Sequence, residues 1–347
     1  ILKERADESA VNVFGKNLGQ LLLTPPVTKR VILGADPAFV SGCKLAIIDE
    51  NGNYLEHAVI YPTKPKNDYE NSKKTVAKLA DKYHITAVAI GNGTASRETQ
   101  EFFAKLNRDG IKLDYTVVSE AGASVYSASK LAQDEYPQLD VTIRGAISIA
   151  QRLRDPMATF VKIDPKSLGI GQYQHDVNQK LLEKKLSDIT TDLVNRVGVD
   201  INSASLSLLS YVAGIGPAIA ANILKYRTEN GNFHTKSDLL KVKGLGKKAY
   251  EQAAGFIRIK EGKNLFDNSG IHPESYDVAK KLATMDLDHL NPKECAQTLG
   301  VGEATLKDII FELKKPGFDP RVDLPAIPFK NDITDIKMIK EGSFVSG

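Results

Sequence analysis

Gly244-Leu245-Gly246 is followed at once by Lys247 and Lys248 and then by a helical pattern through Tyr250 and Ala254. Those residue types in that order are chemistry for holding an anion. Glycine lets a backbone turn sharply and lets another molecule come close. A helix start leaves several backbone N–H groups unpaired and carries roughly half a positive charge. Glycines in front leave those groups uncovered for a phosphate, and two ammonium groups add full charges to the partial one. The same device stands roughly one repeat unit earlier, as Gly214-Ile215-Gly216, with Pro217 at the first helical position, where a missing N–H is harmless. A lone Gly-x-Gly often does no more than end a helix. Here both copies share a leucine-rich lead-in, one apolar residue between the glycines and an alanine-containing helix after the turn, which makes an internal repeat.

The pair resembles the helix-hairpin-helix motif in tandem. That resemblance implies backbone amides presented to nucleic-acid phosphates without reading of base sequence. It makes Gly214, Gly216, Gly244 and Gly246 the phosphate-facing positions, Lys247 and Lys248 the supporting charges, and Ile215 and Leu245 the buried pins. Charge agrees locally. The chain as a whole carries only +3 with His neutral, too balanced to mark a nucleic-acid binder by itself. Between residues 200 and 263, however, ten Lys or Arg stand against five Asp or Glu, a concentration of positive charge of the kind a phosphate footprint requires.

Upstream, residues from about 30 to 155 read as an α/β domain. RVILGAD is an apolar run ending in Asp36; CKLAIID, a turn at Glu50 to Asn53 and YLEHAVIY form a hairpin. Helical spacing follows over Asp68 to Tyr83, then the buried run TAVAIGNG, a helix over Ser96 to Asn107, and the strand DYTVVSE. A meander followed by alternating helices and strands predicts a mixed sheet covered by helices, an order similar to the ribonuclease-H-like fold. Nucleases with that fold hold two divalent cations in clustered carboxylates, one activating water and the other stabilising the leaving oxygen. Asp36, Glu120 and Asp155 are the catalytic and metal-ligand candidates, with Mg²⁺ or Mn²⁺ needed only under that reading. A plainer role stands beside each: Asp36 turns the chain before Pro37, Glu120 caps the helix beginning near Ala123, and Asp155 terminates its helix before Pro156. Asn92 stands in TAVAIGNG where a carboxylate would have helped a metal site.

GADPAFVSGCKLAIIDENGNYLEHAVIYP, AIGNGTASRET, EAGASVYSASKLAQDEYPQLDVTIRGAISIAQRLRDP, KIDPKSLGIGQYQHDV, QAAGFIRI and SGIHPESYDVAKKLA together resemble the Tex family of bacterial transcription accessory proteins. The similarity covers almost the whole chain. It implies a multi-domain α/β plus all-α protein: the end of an N-terminal helical region (1–28), a YqgF-type ribonuclease-H-like domain (29–156), a connecting helical segment (157–199), tandem helix-hairpin-helix (200–263), a small helical domain (264–318), and a linker with the start of an OB-fold domain (319–347). It further implies binding of RNA or DNA, a role alongside the transcription machinery, a cytoplasmic setting and no required cofactor. The family's first-strand motif runs Asp-Pro-Gly-Phe-Arg-Thr-Gly; here Ala38 and Val40 replace its glycine and arginine, which counts against both a phosphate contact and a metal geometry at that loop.

The totals narrow the field. Hydrophobic content of 42% and charged content of 26% describe a globular chain, and 347 residues exceed one ordinary core, so two or three domains are expected. The two cysteines, Cys43 and Cys295, lie far apart without a further Cys or His at ligand spacing, which argues against a disulfide framework or structural zinc and for a reducing compartment. No apolar run approaches a membrane span. The start at Ile1 and the ending KEGSFVSG read as a piece of a longer chain. His175 reads as a polar surface contact, because no nucleophile pattern accompanies it. Gly300-Val301-Gly302 mimics a third corner, but Glu303 puts a negative charge where phosphate would sit, so it reads as a structural turn. The proline-rich KKPGFDPRVDLPAIPFK reads as an extended linker. Three functions compete at this stage: a sequence-independent nucleic-acid binder for transcription, a metal-dependent structure-selective nuclease using Asp36, Glu120 and Asp155, and a protein-interaction scaffold.

Overall fold

The computed structural model describes residues 2–264 and 266–330. The chain divides into two compact units, one of residues 20–176 with the described residues from 324 onward, the other of residues up to 19 with 177–323.

The first unit is built on a five-stranded sheet of β1 (Ile32–Asp36), β2 (Cys43–Ile48), β3 (Tyr54–Ile60), β4 (Ala87–Gly91) and β5 (Asp114–Val118), in the order β3-β2-β1-β4-β5. β1, β2 and β3 pair antiparallel, β4 and β5 add parallel to β1, so the mixed sheet expected from the sequence is what forms. Alternate residues face opposite ways along each strand. Leu33, Ala35, Leu45 and Ile47 pack under α2 (Tyr69–Tyr83) and α3 (Ser96–Arg108), joined by Val76, Leu79, Phe102 and Phe103. Ile32, Ala46, Ile48, Ala87 and Ala89 face the other way, against Ile143, Ala146, Ile147, Ala150 and Leu153 of α6 (Val141–Arg154). Between β5 and α6 lie the short helices α4 (Ala123–Ser127) and α5 (Lys130–Glu135), and α7 (Pro156–Phe160) follows. Asp140 starts α6 by accepting from the amides of Thr142 and Ile143. Gly34 decides how closely α6 lies on β1: a Cβ there would stand 2.8 Å from the backbone nitrogen of Ala150.

The proline-rich tail returns to this sheet. Tyr115 and Lys330 exchange both backbone hydrogen bonds, at 3.2 and 2.7 Å, and Thr116 Oγ1 donates to Pro328 O at 3.0 Å. Ile327 and Phe329 pack on the α6-side core. Only the last residues of the segment are extended, since Pro320–Asp323 form a 3₁₀ turn before them, and its end covers the open edge of β5, protecting it from pairing with other chains. The opening strand of an OB-fold, expected from DIKMIKEGSFVSG, lies outside the described residues.

The helical unit contains α1 (Leu2–Leu22) up to Gly19 and α8 (Gln179–Val197), which Asn178 caps. Two short strands, β6 (Val199–Asp200) and β7 (Ile257–Arg258), pair parallel and bracket the repeat. Inside that bracket come α9 (Leu206–Leu209), α10 (Pro217–Asn230), a 3₁₀ turn over Lys236–Lys241 and α11 (Lys247–Ala253). The run before the second corner, which reads as helix up to Val242, is thus 3₁₀; Thr235 and Asp238 form a capping box at its start. α12 (Tyr276–Leu282), α13 (Pro292–Leu299) and α14 (Glu303–Lys314) then share a small core of Phe266, Ile271, Ala279, Leu282, Leu306 and Ile309.

Candidate nucleic-acid interface and carboxylate pocket

The two corners are superposable in their backbone logic. Gly214 and Gly244 take φ of +81° and +83°, the left-handed region where L side chains are strained. Gly216 and Gly246 follow in extended conformation, φ/ψ of −80°/171° and −81°/173°, and serve as N-caps of α10 and α11. Ile215 and Leu245 are buried between them, and their amides donate to Val212 O at 2.9 Å and Val242 O at 3.1 Å. The pinned apolar residue fixes the turn, while a Cβ added at Gly216 or Gly246 would meet nothing within 4 Å. The approach to both helix starts is open.

Each corner is also braced by the other hairpin. A Cβ on Gly214 would stand 2.7 Å from Ala249 O and 2.9 Å from Gln252 Cβ, both on α11. In return, Asn222 Nδ2 on α10 donates at 2.8 Å to Lys243 O, the residue before Gly244. This exchange relates the two hairpins reciprocally and sets the corners as one surface. Sequence reading missed Asn222; a lone Asn in an alanine-rich helix carries no signal until its partner carbonyl is known.

The corners differ in charge. At the second, Lys247 and Lys248 are exposed, and Lys247 has only a 3.8 Å pairing with Glu251. At the first, Pro217 and Ala218 occupy the corresponding positions and contribute no charge. The turn at Gly300-Val301-Gly302 repeats the two glycine conformations, with Gly300 at φ +68° and Gly302 as N-cap of α14, but the Val301 amide donates to Ala296 O at 3.1 Å. There Glu303 pairs with Lys307 at 2.6 Å on the helix surface. His175 is an exposed residue beside Asp176 and Tyr173.

The three acids part company. Asp36, at the end of β1, puts Oδ2 3.0 Å from the place a Cβ of Gly145 would take on α6. Glu120 lies over the end of β4, its Oε2 2.8 Å from a Cβ built on Gly91. Asn92 Oδ1 accepts from the Glu120 amide at 2.9 Å, so the residue that looked like a missing ligand is what anchors Glu120. α4 is capped by Gly122 without a side-chain bond, which removes the capping role considered for Glu120. Burial first, then the neighbouring Glu120 charge, pushes the Asp36 carboxyl up to about 6, with Lys44 and Arg152 opposing.

Asp155 does not join them. It closes α6 ten residues beyond Gly145, about 15 Å farther along the axis at the α-helical rise, and its carboxylate accepts from Ala158 N at 3.1 Å as the N-cap of α7. It is a helix terminator, the plainer of its two roles. What completes the pocket is Arg152, on the same helical face as Gly145 and Ser148. Only 2% exposed, it donates through Nη1 to Ser119 O and lies 4.9 Å over the Phe160 ring. Its Nε and Nη2, and Ser148 Oγ, meet no hydrogen-bond partner among the described residues. Burial lowers the guanidinium to about 10, with Glu120 and Asp36 holding it up. The spacing Gly145, Ser148, Arg152 in RGAISIAQRLRD was a legible sign of one polar stripe on an otherwise apolar helix.

The ribonuclease-H-like fold implies divalent metal here, and the donors do not fit it. A two-metal site needs several carboxylates around both ions. Two converge in this pocket, the third is excluded, and a buried guanidinium faces the pair. Among the described residues no group of three or more His, Cys, Asp or Glu could hold a metal ion.

A mixed ribonuclease-H-like sheet followed by helix-hairpin-helix elements is the class that this architecture defines. Family models agree along the chain: one described as Tex protein YqgF-like domain matches residues 30–154, a helix-hairpin-helix motif matches 194–258, and an HHH domain matches 264–321. All of this chain aligns with the uncharacterized protein YdcI of Bacillus subtilis strain 168 at 47% identity, covering 50% of that relative. It aligns over its full length at 44% identity with Protein tex of Bordetella pertussis, covering 46%, and with the transcriptional accessory protein Tex of Neisseria gonorrhoeae, covering 47%. The chain belongs to the Tex family, and it spans about half the length of the curated relatives it matches. No helix among the described residues is long and apolar enough to cross a membrane.

Proposed function

We propose that this chain grips nucleic acid by its sugar-phosphate backbone, independent of base sequence, as part of a transcription accessory protein. The observation that carries this reading is the braced pair of glycine corners. Two neighbouring turns leave their N-cap glycines open to solvent, and α10 and α11 begin there with unpaired amides. Phosphate is the anion that fits closely spaced backbone donors with no side chain to select a base. Lys247 and Lys248 make the second corner the stronger of the two, since it adds two full charges to the partial charge of the helix start. Corner glycines read no base edge, so affinity on this model is set by charge and shape.

Fluorescence anisotropy with labelled single-stranded RNA, single-stranded DNA and duplex, across a salt series, tests this. About four phosphate contacts give a log-log salt slope near −3.6 on duplex DNA. The double substitution Lys247→Glu/Lys248→Glu is expected to weaken binding at least about tenfold at low salt, equally for all sequences, and to flatten the slope. An altered sequence preference, or unchanged affinity, would reject backbone gripping by this corner.

A further inference from the structure

The carboxylate pocket of the sheet domain has no part in the binding just described, yet it holds the most deeply buried charge of that domain. We propose that the Arg152 guanidinium takes the place of a divalent cation beside Asp36 and Glu120, and that removing it would create a site for Mn²⁺ or Mg²⁺.

Three observations meet in this assignment. The first is position. Gly145, Ser148 and Arg152 follow one another on the face of α6 that Gly34 brings down onto β1, and Asp36 reaches the same face at Gly145. Glu120 is held from the other side by the Asn92 side chain. The second is charge balance. Lys44 is paired in register with Asp36 and is itself buried, its ammonium donating to Ser41 O at 2.7 Å and Gly42 O at 3.0 Å. Asp36 and Glu120 together therefore already face two cations, Lys44 and Arg152. A dication entering beside them would leave an excess of positive charge next to two buried cations, which low-dielectric surroundings penalise.

The third is the orphaned donors. Arg152 Nε and Nη2 are buried without an acceptor among the described residues, an arrangement that folded proteins rarely leave unexplained. The negative groups acting on that guanidinium are Glu120 and Asp36. A guanidinium cannot give up its charge to make room for a metal, and this one is held over the Phe160 ring and by its bond to Ser119 O. With Arg152 shortened to an uncharged side chain, the two carboxylates, Ser148 Oγ and Ser119 O would remain as hard oxygen donors of the type Mn²⁺ and Mg²⁺ prefer.

Mn²⁺ titration followed by electron paramagnetic resonance tests this on the whole chain, as native protein, Glu120→Gln, Arg152→Met and the double variant. The native chain is expected to take up no Mn²⁺ that Glu120→Gln abolishes. Arg152→Met is expected to gain one site, at least about tenfold tighter than any binding by the native chain, and to lose it again in the double variant. Two results would overturn the assignment: a native site that disappears in Glu120→Gln, or a folded Arg152→Met that binds no better than native. If circular dichroism shows Arg152→Met unfolded, native against Glu120→Gln still decides, because equal uptake supports the guanidinium and greater uptake by native refutes it.

Discussion

The hairpin pair and the carboxylate pocket handle charge in opposite ways. At the corners the charge-bearing groups are backbone amides and two exposed lysines, arranged around glycines with empty space in front of them. In the pocket the groups are side chains, drawn together by the close approach of α6 to β1, with Lys44 and Arg152 buried and Asp36 and Glu120 half-buried. An open corner can exchange solvent for a polyanion at little reorganisation, whereas the pocket has settled its charges internally. Glycine serves both places, but at the corners it exposes the backbone and at Gly34 and Gly145 it lets one element press on another.

The largest effect that would break this comparison is expected at Gly214. Alanine there would occupy φ +81° and place its Cβ 2.7 Å from Ala249 O. The left-handed conformation and the backbone clash together should destabilise the helical unit by about 3–4 kcal/mol, read as a fall in denaturation midpoint. Loss on this scale means the first corner is a packing element between hairpins as much as a ligand site. A value near zero would show that the brace against α11 is not made in solution.

Asp36→Asn is expected to act next most strongly, and in the stabilising direction. The folded-state pKa near 6 lies above the ordinary value of 3.8. The fold therefore favours the protonated carboxyl: its contribution is fully present below the unfolded pKa and is lost as pH rises through about 6. Asparagine removes the cost of ionisation in the pocket, so the variant should gain on the order of 2 kcal/mol over native at pH 8. The gain should shrink as pH falls through 6 and disappear near 4. Urea unfolding of both proteins at several pH values measures it, and a variant less stable than native at pH 8 would mean that the ionised Asp36 is held more firmly by Arg152 and Lys44 than burial opposes it.

The sequence carried the corners more fully than the pocket, for a physical reason. A helix-hairpin-helix corner is local: Gly, apolar residue, Gly and helix start are consecutive, and Ile215 and Leu245 fall to their buried places as the pattern requires. The mixed sheet was similarly legible from the meander and the alternation that follows it, though its order β3-β2-β1-β4-β5 was not. The pocket depends on contacts between residues far apart in the chain. Asp36 and Glu120 meet because their strands flank β4, while Asp155, equally acidic and equally close to a proline, is carried away by the length of α6. An arginine near a helix end reads as solvated, and only the packing of α6 on the sheet buries Arg152. Likewise nothing local says that Phe329 and Lys330 will return to β5.

The third corner sharpens the comparison from within the helical unit. Gly300 and Gly302 take the same left-handed and extended conformations as the other two corners, but Val301 is only half-buried and its amide donates to Ala296 O, and the charge at the helix start differs through Glu303 and its pairing with Lys307. Glu303→Lys exchanges one negative for one positive charge at an exposed helix start. If this corner also faces the bound strand, affinity should rise about fivefold at low salt, near 1 kcal/mol, and the gain should fade as salt is raised. No change at any salt concentration would confine binding to the tandem pair.

The smallest expected effect separates binding from folding most cleanly. Gly246 has ordinary φ of −81° and open space where a Cβ would go, so Gly246→Ala should leave stability within about 1 kcal/mol, the difference between glycine and alanine at an N-cap. A methyl group in front of the α11 amides would nevertheless stand between them and a phosphate oxygen, and affinity should fall by about two- to threefold, well under 1 kcal/mol. Gly214→Ala should do the reverse, losing stability first. A Gly246→Ala protein that binds as tightly as native would place the phosphate contact on the lysine side chains alone, and the backbone would then hold the lysines in place without touching the ligand.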